Sequence, residues 1–446
     1  MFPPPFFLHR GEILSPFFAT VLIHGIFMTV APCPAGLVSS AADTALNGKP
    51  VTGVLIFGNE RTRPEVILRE MKIREGDPYD GAGIEEDRKR IQNLGIFNRV
   101  ETFAEPAWGG VRVFVLVTEG PVFLPYPVLH LNERDWKKLS YGAGLRVRNL
   151  RGRAETLDAL FSAGYNPAYG FAYFNPWIGG TRGLQAGFNA ASQRLLSKHF
   201  REERAYEKQT AVFAAVGKRI TLHMTFGALL GVREIEISPA HIGPEEYAVD
   251  RMPVAGLSFL WDHRDLREYP MKGYLLSLSG RKNGWRTRRT DYGLLETEAR
   301  GYLPVPGTCT FAFRISTAFT AGSPPVYDRL FLGYEERIRG HWTDTDEGEN
   351  RWIAAAALRL PLIPIRYFDI GEAPELMNWK FGVSAGVFVD AGTTWFHGEK
   401  PGEGGILLGY GCGLHFHLPI VDVLRFEAAF DERGRREWIC DIGVDI

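Results

Sequence analysis

The sequence predicts a transmembrane antiparallel β-barrel of 16 strands preceded by one small α+β module. Three observations predict it. From residue 123 onward, segments with alternating apolar and polar residues are separated in turn by short turns and longer polar loops, as in a sheet with one face toward lipid. The composition, 50 glycines and 13% aromatic residues, suits many short strands and tight turns, while 45% apolar and 23% charged residues would pass for a soluble protein. Membrane barrels escape hydropathy analysis because only every second residue meets lipid. Finally, the one stretch apolar enough to resemble a spanning helix, residues 17–31, has 15 residues, and a spanning helix needs about 20.

That stretch follows His9 and Arg10, is interrupted by His24, ends at Pro32 and leads into Ser39, Ser40, Ala41 and Ala42. It reads as a secretory leader over residues 1–42, with a retained anchor helix as the alternative. Cys33 is a poor lipid-attachment site because Pro32 stands where a small residue is usual. Beyond the leader, Cys309, Cys412 and Cys440 are too few and odd in number for a disulfide framework. On the strand phases below they point outward among apolar neighbours, as inert small hydrophobes. The 51 basic and 52 acidic residues leave a net charge of −1, which gives no nucleic-acid footprint.

Residues 43–120 form the module. A strand is expected over 51–57, a turn at Gly58 and Asn59, and a helix over 63–71. A second helix is expected over 84–94, with Ile84, Ile91 and Leu94 on its apolar face, Glu85, Asp87, Arg88 and Lys89 toward solvent, and Gly95 as its cap. Strands over 97–103 and 111–117 follow, joined at Trp108, Gly109 and Gly110. Such a short sheet has an edge that can add an extended peptide by main-chain hydrogen bonds. A spacer or a docking point for another protein is the alternative.

Residues 121–446 hold the barrel. Strands are expected to begin near 123, 139, 154, 169, 184, 208, 220, 252, 274, 291, 308, 351, 381, 406, 423 and 436. Phe311, Phe313 and Ile315 oppose Thr310, Arg314 and Ser316. Leu414, Phe416 and Leu418 oppose His415 and His417. Leu424, Phe426 and Phe430 oppose Arg425 and Glu427, and in the last strand Trp438, Cys440, Ile442, Val444 and Ile446 oppose Asp441 and Asp445. Trp177, Trp261, Trp395 and Trp438 lie near strand ends, where aromatic girdles sit. Pro125 and Pro127 lack donors on the same side of the first strand, 123–131, so the side it can least pair is the one toward the last strand. A linker reaching to 127, with the strand starting at Val128, is the alternative.

The loop over 321–350 is too long for a barrel connection without a purpose. At its centre Arg339 stands beside Gly340. Gly386, Phe388 and Asp390 share the inward phase of the thirteenth strand, and Gly409, Gly411 and Gly413 that of the fourteenth, leaving a floor without side chains on which the loop can lie. Taken alone, Arg339 reads as an exposed cation and Asp390 as a solvated lumen carboxylate. His415 and His417 share a face but have no third ligand in view, and no catalytic constellation occurs. No metal, cofactor or enzymatic reaction is expected.

Six stretches together resemble a known family. They are LFLGYEERIRGHW at 330–342, with Ile338, Arg339, Gly340 and His341; GVFVDAG at 386–392, with Phe388, Asp390 and Gly392; the turn at 261–273, with Asp262, Arg264, Asp265, Pro270 and Gly273; and FGN, EGDPYD and NLGIFNRV in the module. The module resembles a POTRA domain, and residues 51–446 resemble the BamA/TamA superfamily of outer-membrane assembly and translocation barrels. The resemblance implies that Arg339 folds into the lumen and pairs with Asp390. It does not extend to a wider acidic network, because residues 354–359 lack the glutamate that the twelfth strand of the family often carries, and His341 replaces an aromatic residue. It implies an outer-membrane barrel of a Gram-negative-type bacterium with its module in the periplasm. Its partners would be the lipid bilayer, unfolded outer-membrane or secreted client polypeptides, and periplasmic accessory proteins recruited by the module. A dedicated secretion pore or passive channel plugged by the loop 321–350 is the alternative.

Overall fold

The computed structural model describes residues 45–131, 136–178, 180, 183–197, 205–238, 249–285, 290–306, 308–333, 336–341 and 346–443. The leader expected at 1–42, with Cys33, and residues 444–446 of the last strand lie outside the described residues.

The module consists of β1 (Val51–Phe57), α1 (Pro64–Leu68), α2 (Gly81–Gln92), β2 (Phe97–Ala107) and β3 (Gly110–Glu119). Its sheet runs β1-β3-β2, with β1 parallel to β3. Alternate residues Val111, Val113 and Val115 pack against Val66, Ile67, Ile84 and Ile91 of the helices. Two expectations need correction. The first helix stops at Leu68, and Asp87, expected toward solvent, is fully buried. The two facts have one cause. The Asp87 carboxylate accepts the amides of Lys72 (2.9 Å) and Ile73 (3.2 Å), satisfying backbone donors just past the shortened helix and sparing them a desolvation cost.

The barrel wall is a 16-stranded sheet with neighbours in sequence order. Its first eight strands are β4 (Phe123–Leu131), β5 (Leu139–Leu150), β6 (Glu155–Gly164), β7 (Ala168–Asn175), β8 (Leu184–Leu196), β9 (Tyr206–Arg219), β10 (Met224–Ser238) and β11 (Val249–Asp262). Then come β12 (Gly273–Asn283), β13 (Tyr292–Val305) and β14 (Cys309–Gly322). After the loop hairpin of β15 (Leu330–Leu332) and β16 (Asp346–Gly348), the wall ends with β17 (Asn350–Phe368), β18 (Trp379–Trp395), β19 (Leu407–Leu418), β20 (Asp422–Asp431) and β21 (Arg436–Ile442). The widest departure from the expected starts is at β10, because Thr221 Oγ1 accepts the amides of His223 and Met224 and holds 220–223 as a turn.

Phe161, Phe226, Leu257, Leu278 and Ile315 are exposed on the outer face, while Arg233, Arg281, Glu296, Arg425 and Glu427 are buried inside. This is the inversion expected when lipid, not water, wets the outer wall. Cys412 and Cys440 are exposed on that wall. Trp395 ends β18 but is buried, edge-on to Phe319 at 6.1 Å, and does not stand in an open girdle. Arg148 of β5 and Asp422 of β20 come within electrostatic range, so the two edges of the sheet approach each other. No ladder joins β4 to β21 among the described residues. β4 pairs with β5 from Phe123 onward, so the strand includes Pro125 and Pro127.

The module sits on the rim formed by the short turns. Arg219 holds Glu70 through two bonds of 2.7 and 2.8 Å, and Asn149 donates to Thr62 Oγ1 at 2.8 Å. Asn93 exchanges bonds of 2.8 Å with Asp265 O and Arg267 N. Asn98 donates to the carbonyls of Glu375 and Met377. These contacts reach from the β5–β6 turn to the β17–β18 turn, so the module bridges the mouth.

Candidate functional site

The loop between β14 and β17 turns inward and is anchored at two places. Its rising limb is held at Asp328, which accepts both terminal guanidinium nitrogens of Arg233 (2.8 and 3.1 Å) and the hydroxyl of Tyr292 (2.8 Å). Tyr327 beside it donates to Asp250. Its tip lies against β18 to β21. The loop thus crosses the lumen as a bar tied to opposite walls.

At the tip the structure brings Arg339 and Asp390 together. Arg339 Nε and Nη2 donate to the two carboxylate oxygens at 2.7 Å each, a bidentate pair, and the Arg339 amide adds a third bond at 3.3 Å. The guanidinium carbon lies 3.5 Å from the centre of the Phe388 ring, giving a cation–π contact in a desolvated site. Ile338 is buried against Gly392, where an added Cβ would stand 2.8 Å from Ile338 Cδ1. Small neighbours make the room: Asp390 pairs across the sheet with Ala355 and Gly409. A Cβ on Gly409 would fall 1.8 Å from Arg339 O. Gly340 has φ +101° and packs against the Phe430 backbone, a conformation and a closeness that glycine alone tolerates without strain. The buried His341 places Nε2 at 2.8 Å from Leu408 O and 2.9 Å from Glu432.

Several residues absent from the sequence expectation complete the site, and they correct it. Arg339 Nη1 also donates to Glu427 at 3.1 Å. A second acid is therefore present, supplied by β20 and not by the twelfth strand. Glu437 on β21 accepts the Gly340 amide at 2.8 Å, and Arg337 reaches Asp441 at 3.3 Å, so the loop grips the last strand. Arg425 donates to the other Glu427 oxygen at 3.0 Å. The signal for these partners was alternation: Glu427 and Arg425 were read as inward, but nothing in the chain marks which inward acid meets the loop.

The 262–273 turn approaches the same network from the module side. Asp262 accepts Arg264 Nε (2.8 Å) and forms an ion pair with Arg267 (2.9 Å), while Asp265 accepts the amides of Met271 and Lys272 and closes the turn on itself. Gly273 has φ +107°, with no space for a Cβ beside His263 O. The Pro270 carbonyl accepts Arg359 Nη1 at 3.1 Å. These bonds aim Tyr269 into the lumen, where its hydroxyl is 2.9 Å from His415 Nδ1. His415 Nε2 is 3.3 Å from Glu427, so a chain of bonds runs from Tyr269 through His415 and Glu427 to Arg339. His417 faces Ser384 at 2.9 Å. The two histidines are accounted for by these partners, and no cluster of metal-ligating residues occurs among the described residues.

Residues 50–120 match the family model of the POTRA domain, described as a surface antigen variable number repeat, and residues 149–437 match that of the Omp85 superfamily domain. The outer membrane protein assembly factor BamA of Nitratidesulfovibrio vulgaris is 33% identical over 369 residues, covering 74% of this chain and 45% of that protein. The chain thus spans less than half the length of that curated relative. Among solved structures, BamA from Haemophilus ducreyi lacking POTRA domains 1–3 superposes with a TM-score of 0.51 at 16% identity, covering 88% of this chain and 83% of the other. CdiB from Escherichia coli gives 0.55 at 13% identity, covering 89% and 74%. These likenesses show the fold. With a family model spanning most of its length and one POTRA domain before the barrel, the chain belongs to the Omp85 superfamily.

Proposed function

We propose that this chain inserts or translocates polypeptides across an outer membrane, with the module in the periplasm receiving an unfolded client and the seam between β4 and β21 opening sideways to lipid. The seam is the observation that carries this reading. With no ladder joining its two strands among the described residues, and with Pro125 and Pro127 lacking donors, opening breaks loop contacts to β21 and not a row of sheet bonds. Either bare edge can template a client strand by main-chain pairing. The driving force is then strand pairing plus burial of the client's apolar face, about 25 cal/mol per Å². The outer strands of the module sheet, β1 and β2, offer a first landing edge and a place for accessory proteins. Arg339 and Asp390 act in this scheme as the lock that holds the loop.

A dedicated secretion pore or passive channel requires both the loop bar and the Tyr269 turn to leave the lumen. The test replaces Cys309, Cys412 and Cys440, then introduces cysteine pairs between residues 128–131 and 439–442 and oxidises them. A locked seam is expected to arrest cell growth and client insertion. An efficient lock that leaves both untouched would overturn the gate and favour the pore.

A further inference from the structure

A cleft of about 590 Å³ opens on the module-side rim, where the segments around Trp177 and residues 220–222 meet the end of α1. Arg69, Trp177, Lys218, Arg219, Ile220 and Leu222 line it. The Arg69 guanidinium stacks over the Trp177 ring at 5.1 Å. The Arg69 side chain is only 11% exposed, and its Nε has no hydrogen-bond partner among the described residues. Glu70 beside it does not meet that need. Both Glu70 oxygens are engaged by Arg219, which leaves Arg69 Nε 3.5 Å away. Burial pushes the Arg69 guanidinium down, Glu70 opposes this in part and the charge of Arg219 adds to it. The cleft therefore sets the Arg69 guanidinium, whose Nε has only a 3.5 Å ion pair to a carboxylate that Arg219 already holds, beside the further cations Lys218 and Arg219.

Its outer wall faces lipid. Lys218 stands on the same outward phase of β9 as the exposed Val216, and Ile220 beyond it is 58% exposed. Lysine at such a level extends its stem along apolar surface and its ammonium toward the headgroups, and tryptophan favours the same depth. An anion that enters here meets Arg69 and Lys218 at one end and aliphatic surface at the other. That combination suits a phosphate carrying acyl chains better than a bare ion.

We propose that this cleft binds the phosphate group of an anionic membrane lipid, held between Arg69 and Lys218 with its acyl chains along Ile220 and Val216. The lipid would occupy the seam between module and wall at the point where Arg219 docks the module. The same phosphate chemistry is offered by a soluble phosphate, and the test separates the two sources.

The full chain is reconstituted in nanodiscs of phosphatidylcholine with or without phosphatidylglycerol, released, and weighed by native mass spectrometry. Phosphatidylglycerol is expected to be retained in preference to phosphatidylcholine. The Arg69→Gln, Lys218→Gln double variant is expected to lose retention by about tenfold or more, as losing charge-assisted bonds dictates, and Arg433→Gln on the opposite rim is expected to leave it unchanged. Unaltered heat-modifiable gel mobility checks that each variant folds, and Arg69→Lys with Lys218→Arg keeps the charge if the neutral pair does not fold. In the second arm inorganic phosphate is titrated into lipid-free, detergent-solubilised protein, with no saturable binding expected. Phosphate that binds through Arg69 and displaces phosphatidylglycerol would assign the cleft to a soluble anion and overturn the lipid. Equal retention of the two lipids by the unmodified chain, or full retention by the folded double variant, would overturn the site.

Discussion

Arg339 is the side chain on which the lumen converges, since its guanidinium meets Asp390, Glu427 and the Phe388 ring. Removing one member of such a buried pair strands the other, at a cost of about 3–5 kcal/mol. Arg339→Ala and Asp390→Ala are each expected to destabilise the barrel by about that amount, and the double change by clearly less than the sum. Denaturation midpoints for the four proteins close the cycle, and full additivity would mean the two act separately. Glu427→Gln keeps the Asp390 contact and loses the charge shared with Arg425 and His415, so about 1–3 kcal/mol is expected from the same assay. The pair was legible only through the family resemblance of two separated motifs, since taken alone Arg339 reads as an exposed cation and Asp390 as a solvated carboxylate. Glu427 and Glu437 were not, because sheet alternation gives the face of a residue but not which loop atom arrives there.

Elements were more legible than contacts. Period-two patterning shows where a strand lies, so strands such as β4, β5, β8 and β21 start where the chain suggested. The exceptions were local. The short α1 is followed by amides held by the Asp87 carboxylate from 15 residues further along the chain, which helical periodicity placed on the wrong side. The inward course of the Tyr269 turn depends on Arg359 and His415 from distant strands, which its own residues do not show. Tyr269→Phe removes only the hydroxyl that reaches His415. If the bonded chain ties turn to loop, this change should raise hydrogen exchange around residues 336–341 as well as in 262–273. Exchange confined to the turn would show that the two are independent.

At the scale of the whole molecule, two assemblies are expected to be separable. The barrel has most of its backbone bonds inside the sheet, so unheated and boiled protein should migrate differently on a gel. Identical mobility would contradict the fold. The module is held instead by a few polar contacts, among them the two-bonded ion pair of the buried Glu70 with Arg219. Burial alone would raise the Glu70 carboxyl above its ordinary value of 4.5, but Arg219 and Arg69 outweigh it and hold it below. A depressed acid stabilises above its unfolded value and ceases to do so as the pH falls through the folded one. Docking should therefore hold at neutral pH and loosen as the pH falls below 4.5 toward the depressed folded value, with hydrogen exchange rising at residues 61–70 before the barrel changes. Arg219→Met should loosen the same residues already at neutral pH.

The two anchors of the loop are answered by strands that precede it in the chain and by strands that follow it. Asp328 is answered by Arg233 and Tyr292, from earlier strands, whereas Arg339, Gly340 and Arg337 are answered by Asp390, Glu427, Glu437 and Asp441, all later. The set of partners at the loop tip is complete only when the last strand is in place, because a chain cut short before β21 would leave Arg337 and the Gly340 amide without theirs. The bar across the lumen thus works as a completeness check: only a finished wall satisfies both of its ends, so barrels lacking their final strand should keep an undocked, protease-sensitive loop and be cleared before they become leaky holes in the membrane.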